Sequence, residues 1–399
     1  MSSNERALVY RVIARLNVGG AAMHVVLLTV GLPARGFASR LLAGRVTEDE
    51  GDMEYYARDR GVELLRVPGL DRRLRPFALL GAFLFLYRTF RRDRPEVVHT
   101  HTAMAGAVGR AAAILARVPV RVHTYHGHVL GGEYFSGGAT ALFLRIERLL
   151  GRWTHALVAL TDAQADEMAT GLRIAPRDRF AVIPLGLDLE RFRLLEPVRA
   201  LFREKLRSEL GIPLGARVIG IVGRLVPVKN HELLLEAFRL LAESTGSDLI
   251  LVVVGGGERE EELRALAQEL GIADRVRWMG WQRDVPEIYP ALDVLALTSR
   301  DEGTPVAVIE ALAAGVSVVA RAVGGVSRVL EGGKWGALVH ESDPDAFAKA
   351  LAVCLEARPD PEARDAASAR ARDRFGEQRL LREVGSLYRD LLAGRGPSY

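Results

Sequence analysis

The sequence predicts an α/β protein made of two doubly wound parallel sheets in tandem. Short apolar strands alternate with helices along most of the 399 residues, and a Pro-, Gly- and charge-rich stretch at 184–215 interrupts them once. A chain of this length usually forms more than one core. We therefore predict a first domain at 1–190 and a second at 191–375. A charged C-terminal helix, within about 376–399, can pack back on the first domain.

The first half alternates strand and helix throughout. Its first strand, at 6–17, ends at Gly19-Gly20 and leads into an apolar helix. Strand followed by helix, repeated, predicts parallel strands with helices on both faces of the sheet. Further strands are expected at 39–44, 63–67, 95–101, 120–126, 156–161 and 180–188, and helices at 21–32, 50–60, 76–87, 103–117 and 139–151.

The second half repeats this pattern after the interruption. A helix at 198–210 precedes the first strand, and a helix at about 378–392 ends the chain. Between them, strands are expected at 218–223, 248–255, 275–280, 293–299, 317–321 and 336–339. The helices are expected at 230–244, 258–270, 285–290, 325–331 and 343–358, with a short one after Pro305.

Charge and cysteine content argue against a nucleic-acid-binding protein and against a disulfide-bonded one. Residues 1–190 carry 25 Lys or Arg against 19 Asp or Glu, and the remainder carries 29 against 31. This mild asymmetry permits an anionic surface or substrate near the first half but is too small to indicate nucleic acid. The single cysteine, Cys354, excludes disulfides and thiolate metal sites within one chain. The N-terminus lacks a secretion signal pattern, which favours a cytoplasmic protein.

One apolar helix has basic flanks. Residues 76–87 are strongly apolar but too short to span a bilayer, and residues 71–95 hold seven Arg against Asp71 and Asp93. Such a helix either lies on an anionic membrane or packs in the core with solvated ends. The sequence leaves both interpretations open.

Residues 298–325 carry the densest pattern in the chain. Glu302 lies in the loop after a strand, and Glu310 lies on the next helix, eight residues later. Pro305 suits the first turn of that helix and Thr304 its N-cap. The amides of Gly303 and Thr304 suit an anion or a hydroxyl-rich ligand. Both carboxylates can therefore face one ligand crevice at the carboxyl end of a parallel sheet.

Two cations follow the first strand of the second half. Arg224 and Lys229 lie at a strand end just ahead of a helix, which suits a diphosphate. Gly255-Gly256-Gly257, Gly324-Gly325 and Gly19-Gly20 mark tight turns at other strand ends. None forms G-x-G-x-x-G, so the dinucleotide fingerprint is absent.

Five of the nine histidines fall between residues 99 and 128, at two strand ends. Their H-x-H and H-x-x-H spacings do not fix the geometry of a metal centre. Structural histidines, a metal site and a substrate-facing His126 all remain open, and we favour His126 as a donor to a hydroxyl or a phosphate.

Together these features resemble the retaining, nucleotide-sugar-dependent glycosyltransferases of the GT-B fold. That family includes phosphatidylinositol mannosyltransferases, lipopolysaccharide and capsule glycosyltransferases and sucrose synthase. The likeness covers nearly the whole chain, and residues 302–315, E-G-T-P-V-A-V-I-E-A-L-A-A-G, are similar to the family's E-x7-E string. One departure is Leu185, because relatives commonly carry Asn at that position.

The resemblance implies two Rossmann-like domains facing a cleft, with the donor mostly on the second and the acceptor mostly on the first. It implies catalytic roles for His126, Glu302, Arg224 and Lys229. It implies donor-binding roles for Gly20, Arg224, Lys229, Gly255, Gly257, Met279, Trp281, Arg283, Glu302, Gly303, Thr304, Pro305, Val306 and Glu310.

The reaction expected from this resemblance is transfer of a sugar from a UDP- or GDP-linked donor to a glycan, lipid-linked or small-molecule acceptor. No metal or other cofactor is expected, because Arg224 and Lys229 can stabilise the leaving diphosphate. No nucleic-acid partner is expected, and peripheral contact with an anionic membrane would occur through 71–95. Two alternatives stay open: a nucleotide-sugar epimerase of the same fold, and a non-catalytic sugar-nucleotide or glycan-binding protein.

Overall fold

The structure is a computed structural model that describes residues 6–46, 51–71, 75–127, 137–213, 215–245, 248–283, 285–357 and 360–397, with the side chains of 137–140 left out. Arg72, Arg73 and His128, and most of the Gly-rich loop after His126, lie outside the described residues. The chain forms two compact units. The first is Met1–Asp188 together with Phe375–Tyr399, and the second is Leu189–Arg374.

The strands and helices alternate in chain order. The strands are β1 Ala7–Ile13, β2 Phe37–Ala43, β3 Leu64–Arg66, β4 Val97–His101, β5 Val120–Thr124, β6 Ala156–Ala159, β7 Phe180–Val182, β8 Arg217–Val222, β9 Leu249–Val254, β10 Val276–Gly280, β11 Val294–Leu297, β12 Ser317–Arg321 and β13 Ala337–Val339. The helices are α1 Gly20–Gly31, α2 Glu54–Arg58, α3 Pro76–Asp93, α4 Ala103–Leu115, α5 Gly137–Arg152, α6 Asp162–Asp166, α7 Glu196–Glu209, α8 His231–Thr245, α9 Glu260–Glu269, α10 Val306–Ala313, α11 Val326–Val329, α12 Pro344–Glu356, α13 Pro361–Phe375 and α14 Glu377–Leu392.

Each unit contains one sheet in which every strand pair is parallel. The first sheet has the order β3-β2-β1-β4-β5-β6-β7, and the second has the order β10-β9-β8-β11-β12-β13. The predicted fold class, two doubly wound parallel sheets, is therefore confirmed. The inner strands are almost wholly buried, as the burial of β9 illustrates, because helices cover both faces of such a sheet.

The C-terminal helix α14 belongs to the first unit. Its apolar side chains Leu380, Leu381, Val384, Leu387 and Tyr388 pack in one core with residues of the first sheet. The guanidinium of Arg379 donates to the carbonyl oxygens of Pro184 and Leu185, each at 2.9 Å. Leu185 itself is buried, so its side chain serves packing.

Several elements differ from the expected ones. Helices α6 and α13 form where no helix was predicted, and α13 is strongly charged with little helical amphipathicity. In place of the helix expected at 285–290 there are two short 3-10 turns, Val285–Glu287 and Tyr289–Ala291. Helix α10 begins at Val306, with Pro305 as its cap residue and no side-chain cap. Among the described residues, no helix is long and apolar enough to cross a membrane.

Candidate active site

The strand order of the second sheet reverses between β8 and β11. Ligands of doubly wound sheets bind at this switch point, beyond the carboxyl ends of the strands. The loop after β8 carries Arg224 and Lys229, and the loop after β11 carries Glu302. The topology therefore brings the predicted cations and the predicted carboxylate to the same place.

Hydrogen bonds join these two loops. The amide of Arg300 donates to the carbonyl oxygen of Val228 at 2.8 Å, and the Thr298 hydroxyl donates to that of Lys229 at 3.2 Å. Asn230 adopts the left-handed conformation, with φ of 51°, and its side-chain amide lies 3.4 Å from the carbonyl oxygen of Thr298. Because these three hydrogen bonds connect the two loops, they fix the position of Lys229 relative to Glu302.

Lys229 and Glu302 form an ion pair. The Lys229 Nζ lies 2.5 Å from the Glu302 Oε1, and the Ser299 hydroxyl donates to the same oxygen at 2.6 Å. The Glu302 residue is only 8% exposed. Arg224 is exposed, and its guanidinium pairs with no carboxylate in the described part of the chain. The site thus holds one neutralised cation and one open cation.

The backbone of Glu302 rests on the Gly324-Gly325 turn. The Gly325 amide donates to the Glu302 carbonyl oxygen at 2.8 Å. A Cβ on Gly324, whose φ is +48°, would lie 2.0 Å from that oxygen. The predicted tight turn therefore serves to bring a second loop against the Glu302 backbone.

Glu310 occupies a buried position on α10. The Tyr289 hydroxyl donates to the Glu310 Oε2 at 2.8 Å. The same hydroxyl lies 3.2 Å from the carbonyl oxygen of Ala307. Burial raises the pKa of Glu310 to about 7, although the Tyr289 hydrogen bond and the charge of Arg191 oppose the rise. Burial and the nearby Glu310 also raise the pKa of Tyr289 well above its ordinary value. Glu310 is therefore partly protonated near neutral pH.

The start of α10 differs in detail from the expectation. Pro305 is the cap residue and not a first-turn residue, and the Thr304 side chain makes no capping hydrogen bond. The reason is the Pro305 backbone, at φ −76° and ψ 88°, which holds the residue before Val306 outside the helix. The first-turn amides of α10 have no intrahelical acceptor. Gly303, Thr304, Pro305 and Val306 thus form a loop-to-helix junction beside Glu302.

The Gly255-Gly256-Gly257 turn packs against the loop after β8. Gly255 has φ of +132°, and a Cβ there would lie 1.9 Å from the Gly223 carbonyl oxygen. A Cβ on Gly257 would lie 2.4 Å from the Leu225 carbonyl oxygen. Contact between the two loops is sufficient to require these glycines, and their predicted roles toward a donor remain predictions.

A cavity of about 600 Å³ lies beside the edge strand β10. Three residues predicted to bind the donor, Met279, Trp281 and Arg283, line this cavity. Side chains of α7 and the residue after it, which were not predicted to take part, also line it: Phe202, Lys205, Leu206, Glu209 and Leu210. The indole of Trp281 also approaches Gly256.

In the first unit, His126 follows β5 beside two other histidines. Its Nε2 lies 2.9 Å from the His101 Nδ1, and its ring meets the His24 ring edge to face at 5.1 Å. Burial lowers the pKa of His126 to about 4, so the imidazole is neutral at pH 7. His24 lies on α1 one turn after Gly20, the first residue of that helix. The sequence signal for His24 was a lone histidine in an apolar helix.

Three imidazoles, those of His24, His101 and His126, have ligand nitrogens within 4.8 Å of one another. Burial lowers the pKa of all three, and neighbouring imidazoles lower it further for His24 and His101, with Arg11 as the last contribution. In the described residues the cluster contains no carboxylate. Neutral imidazoles suit hydrogen bonding and metal binding alike, so the expectation that no metal binds here stays a prediction.

The one Asp-x-Asp string in the chain, a common divalent-metal motif, is Asp343-Pro344-Asp345. It starts α12, where the Asp343 side chain accepts from the Ala346 amide at 2.9 Å. This string therefore acts as a helix cap.

Family models match both units. The model described as "Glycosyltransferase Family 4" matches residues 18–191, and the model described as "Glycosyl transferases group 1" matches residues 202–374. The chain is 35% identical over 336 residues to a D-inositol 3-phosphate glycosyltransferase of Xylanimonas cellulosilytica, covering 79% of each chain. It is 29% identical over 309 residues to an Escherichia coli UDP-Gal:alpha-D-GlcNAc-diphosphoundecaprenol alpha-1,3-galactosyltransferase, covering 77% of this chain and 78% of that one.

Solved structures share the fold. Anabaena Alr3699/HepE, determined in complex with UDP, superposes with a TM-score of 0.77 at 22% identity, covering 96% of this chain and 99% of the other. The family matches, the relatives and the two parallel sheets agree with the resemblance noted from the E-x7-E string. The chain belongs to the nucleotide-sugar glycosyltransferases of the GT-B fold.

Proposed function

We propose that this glycosyltransferase uses a UDP- or GDP-linked sugar, retains the anomeric configuration and requires no divalent metal. The observation that carries the proposal is the Lys229–Glu302 ion pair, together with the exposed Arg224 on the same loop as Lys229. These three groups match two parts of a nucleotide sugar: an anionic diphosphate, which cations bind, and a neutral sugar, whose hydroxyls donate to a carboxylate.

Donor binding would exchange the partners of this ion pair. The diphosphate attracts the Lys229 ammonium and the Arg224 guanidinium. Release of Lys229 then leaves the Glu302 carboxylate, still held by Ser299 at 2.6 Å, to accept hydrogen bonds from sugar hydroxyls. Lys229 would thus neutralise Glu302 in the free enzyme and the diphosphate in the complex, where the Glu302 carboxylate is hydrogen-bonded by the sugar hydroxyls and by Ser299.

Residues of both units would make the remaining donor contacts. Glu310, held by Tyr289, would bind the ribose hydroxyls. Met279, Trp281 and Arg283 would border the base through the cavity beside β10. In the first unit, Gly20 at the start of α1 would approach phosphate or acceptor, and the neutral His126 would donate to the donor sugar.

Retention would arise from attack on the face that the diphosphate leaves. The bond from the anomeric carbon to the diphosphate oxygen breaks, and the acceptor oxygen bonds to that carbon on the same face. The departing phosphate oxygen takes the acceptor proton. Arg224 and Lys229 stabilise the charge that develops on the leaving group, which is the role that a metal would otherwise fill. Glu302 and Glu310 position the donor in this scheme and transfer no proton.

The acceptor is proposed to be lipid-linked, at the cytoplasmic face of a membrane. One relative's name specifies a diphosphoundecaprenol-linked acceptor and another's specifies D-inositol 3-phosphate, so a small phosphorylated acceptor is the second candidate. The exposed first half of α3 favours the lipid-linked one. Phe77 is 91% exposed and Leu80 is 54% exposed, and α3 ends in exposed Arg91 and Arg92. Peripheral membrane contact through 71–95 would deliver such an acceptor.

A donor screen followed by turnover tests this proposal. Thermal shift with UDP-, GDP- and ADP-sugars identifies the donor, because a ligand of the folded state raises the melting temperature. Turnover without added metal and in excess EDTA, with NMR of the product anomer, then tests metal independence and retention. Lys229→Met and Glu302→Gln should abolish transfer, whereas exposed Lys349→Met and Glu341→Gln in the same unit should not.

The alternatives give other results. A product in which the donor sugar is epimerised and stays nucleotide-linked or free would indicate an epimerase. Donor binding with no turnover in the presence of lipid-linked or inositol phosphate acceptors would indicate a binding protein. An inverted anomer, or activity lost in EDTA and restored by Mg²⁺, would contradict the retaining, metal-independent scheme.

A further inference from the structure

We propose that the exposed face of α5, with the four-arginine cavity at its carboxyl end, is a second membrane-docking site that binds the phosphate of an anionic lipid. The site lies in the first unit and shares no residue with the groups assigned to donor binding. Its test therefore does not depend on the transfer reaction.

The first observation is a row of exposed apolar side chains along α5. Leu142, Ile146, Leu149 and Trp153 are 60%, 38%, 56% and 57% exposed. Their spacing of four, three and four residues places them on one side of the helix. A water-facing row of this kind is unusual on a soluble protein unless a partner or a membrane covers it.

The second observation is the charge next to this row. The other exposed positions of α5 from Leu142 to its end are Arg145, Arg148 and Arg152. The only acidic residue in that stretch, Glu147, is buried against Arg110 and Tyr125. The solvent-facing side of α5 is thus apolar and basic without an acidic residue, which is the composition of helices that lie in an anionic membrane interface.

The third observation is the cavity at the end of the helix. It measures about 480 Å³, and four arginines line it: Arg148, Arg152, Arg173 and Arg179. The rest of its lining is small or apolar: Gly151, Ala169, Ile174, Ala175 and Pro176. A Cβ on Gly151 would lie 2.6 Å from the Ile174 carbonyl oxygen, so the end of α5 lies directly against this segment. Two separate segments therefore contribute arginines to one concave surface.

The four guanidiniums lack acidic partners. Across the described ranges, none of them forms an ion pair. Their only side-chain hydrogen bonds go to backbone: Arg148 to the Leu172 carbonyl oxygen at 3.0 Å and Arg179 to that of Thr154 at 3.1 Å. Arginines near a helix C-terminus also complement the helix dipole. That role explains Arg148 and Arg152 but not Arg173, Arg179 or the exposed Trp153.

The combination fits a lipid headgroup better than a free anion. Four guanidiniums attract phosphate, and guanidinium binds phosphate through paired hydrogen bonds. A soluble phosphate would need no apolar row beside it. Trp153, at the boundary between the row and the cavity, has the character of residues that settle at the headgroup level. Helix α4, which packs against both α3 and α5, also exposes Leu115, so the same helical layer presents further apolar surface.

Vesicle flotation with the full chain tests the proposal. The protein should float with vesicles of phosphatidylcholine and phosphatidylglycerol and not with phosphatidylcholine alone. Each arginine near an anionic surface contributes about a fivefold factor in affinity. Arg152→Gln with Arg173→Gln, neither of which makes a side-chain hydrogen bond in the described structure, should therefore weaken binding on the order of 20-fold. The matched control, Arg275→Gln with Arg382→Gln, removes the same charge from exposed positions elsewhere and should leave binding near the wild-type value.

Tryptophan fluorescence supplies a second readout. Anionic vesicles should shift the emission of the wild-type chain to shorter wavelength, and Trp153→Phe should lose that shift. Leu142→Gln with Leu149→Gln should weaken flotation by about tenfold or more, because both side chains would enter the apolar layer. Nucleotide-induced thermal shifts should be unchanged in all these variants, which separates this site from donor binding.

Several results would overturn the proposal. Unchanged flotation of the Arg152/Arg173 variant would do so, and so would an equal loss in the control pair, which would indicate net charge alone. If only α3 variants such as Phe77→Ser lost vesicle binding, the membrane contact would lie at 71–95. Equal affinity for inositol hexakisphosphate in wild type and in the Leu142/Leu149 variant, without vesicle binding, would indicate a soluble anion. A wild-type dimer that the Leu142/Leu149 variant converts to monomer, again without vesicle binding, would indicate self-association.

Discussion

Glu310→Gln should change how the stability of the second unit depends on pH. Burial raises the pKa of Glu310 from an ordinary value of 4.5 to about 7. Between these pH values the folded state keeps a proton that the unfolded state has released, so this group's contribution is full below pH 4.5 and is lost as pH rises to about 7. At about 1.4 kcal/mol per pH unit, the interval corresponds to roughly 3 kcal/mol. The neutral amide of Gln should not suffer this loss.

Urea unfolding at several pH values between 4 and 8 measures the effect. Three of the four tryptophans, Trp278, Trp281 and Trp335, lie in the second unit, so their fluorescence follows the unit that contains Glu310. The quantity to compare is the difference between Glu310→Gln and wild type, because the contributions of buried histidines, which have the opposite sign, cancel in it. That difference should move in favour of the variant by roughly 3 kcal/mol as pH rises.

Tyr289→Phe gives a second test of the same carboxyl group. The Tyr289 hydroxyl lowers the pKa of Glu310 by hydrogen bonding, so its removal should shift the pH-dependent loss of stability to higher pH. A difference between Glu310→Gln and wild type that stays constant from pH 4 to 8 would refute the assignment of a buried, partly protonated carboxyl group.

Three further substitutions test the packing around the site and the first core. Ser299→Ala should remove one hydrogen bond to Glu302 and weaken nucleotide-sugar binding by about 1 kcal/mol in calorimetry, without a loss of affinity for the nucleotide diphosphate. Gly324→Ala should bring a Cβ into the carbonyl oxygen of Glu302, lower the melting temperature and weaken donor-sugar binding; an unchanged melting temperature would contradict the close approach. Glu147→Gln should cost about 3–5 kcal/mol of unfolding free energy because it leaves the buried Arg110 unpaired, and an effect under 1 kcal/mol would mean that water reaches the pair.

The alternation of apolar strands and helices was sufficient to predict both sheets, because each βαβ unit restricts its strands to parallel pairing. It did not predict α13, whose charged sequence carries little periodicity. Nor did it predict the start of α10 correctly, because Pro305, at φ −76° and ψ 88°, lies outside the helix as its cap residue. The helix propensity of a short segment predicts its structure only where tertiary contacts do not override that propensity.

The sequence indicated which loops share an edge of the sheet but not the contacts between them. Lys229 and Glu302 each follow a strand of the same predicted parallel sheet, and the carboxyl ends of such strands meet at one edge. Their direct ion pair, and the hydroxyl of Ser299 on the same oxygen, depend on side-chain geometry that spacing does not contain. Likewise, His24 and Tyr289 lie far in sequence from the residues that they contact, and neither carries a motif.

The most direct test of the central claim compares nucleotide diphosphate and nucleotide sugar by titration calorimetry, in Lys229→Met and Glu302→Gln. If Lys229 moves from Glu302 to the diphosphate on binding, Lys229→Met should weaken both ligands, by about 2 kcal/mol or more. Glu302→Gln should weaken the nucleotide sugar alone and bind the nucleotide diphosphate at least as tightly as wild type, because it frees Lys229. Equal weakening of the nucleotide diphosphate by both substitutions would contradict the exchange of partners.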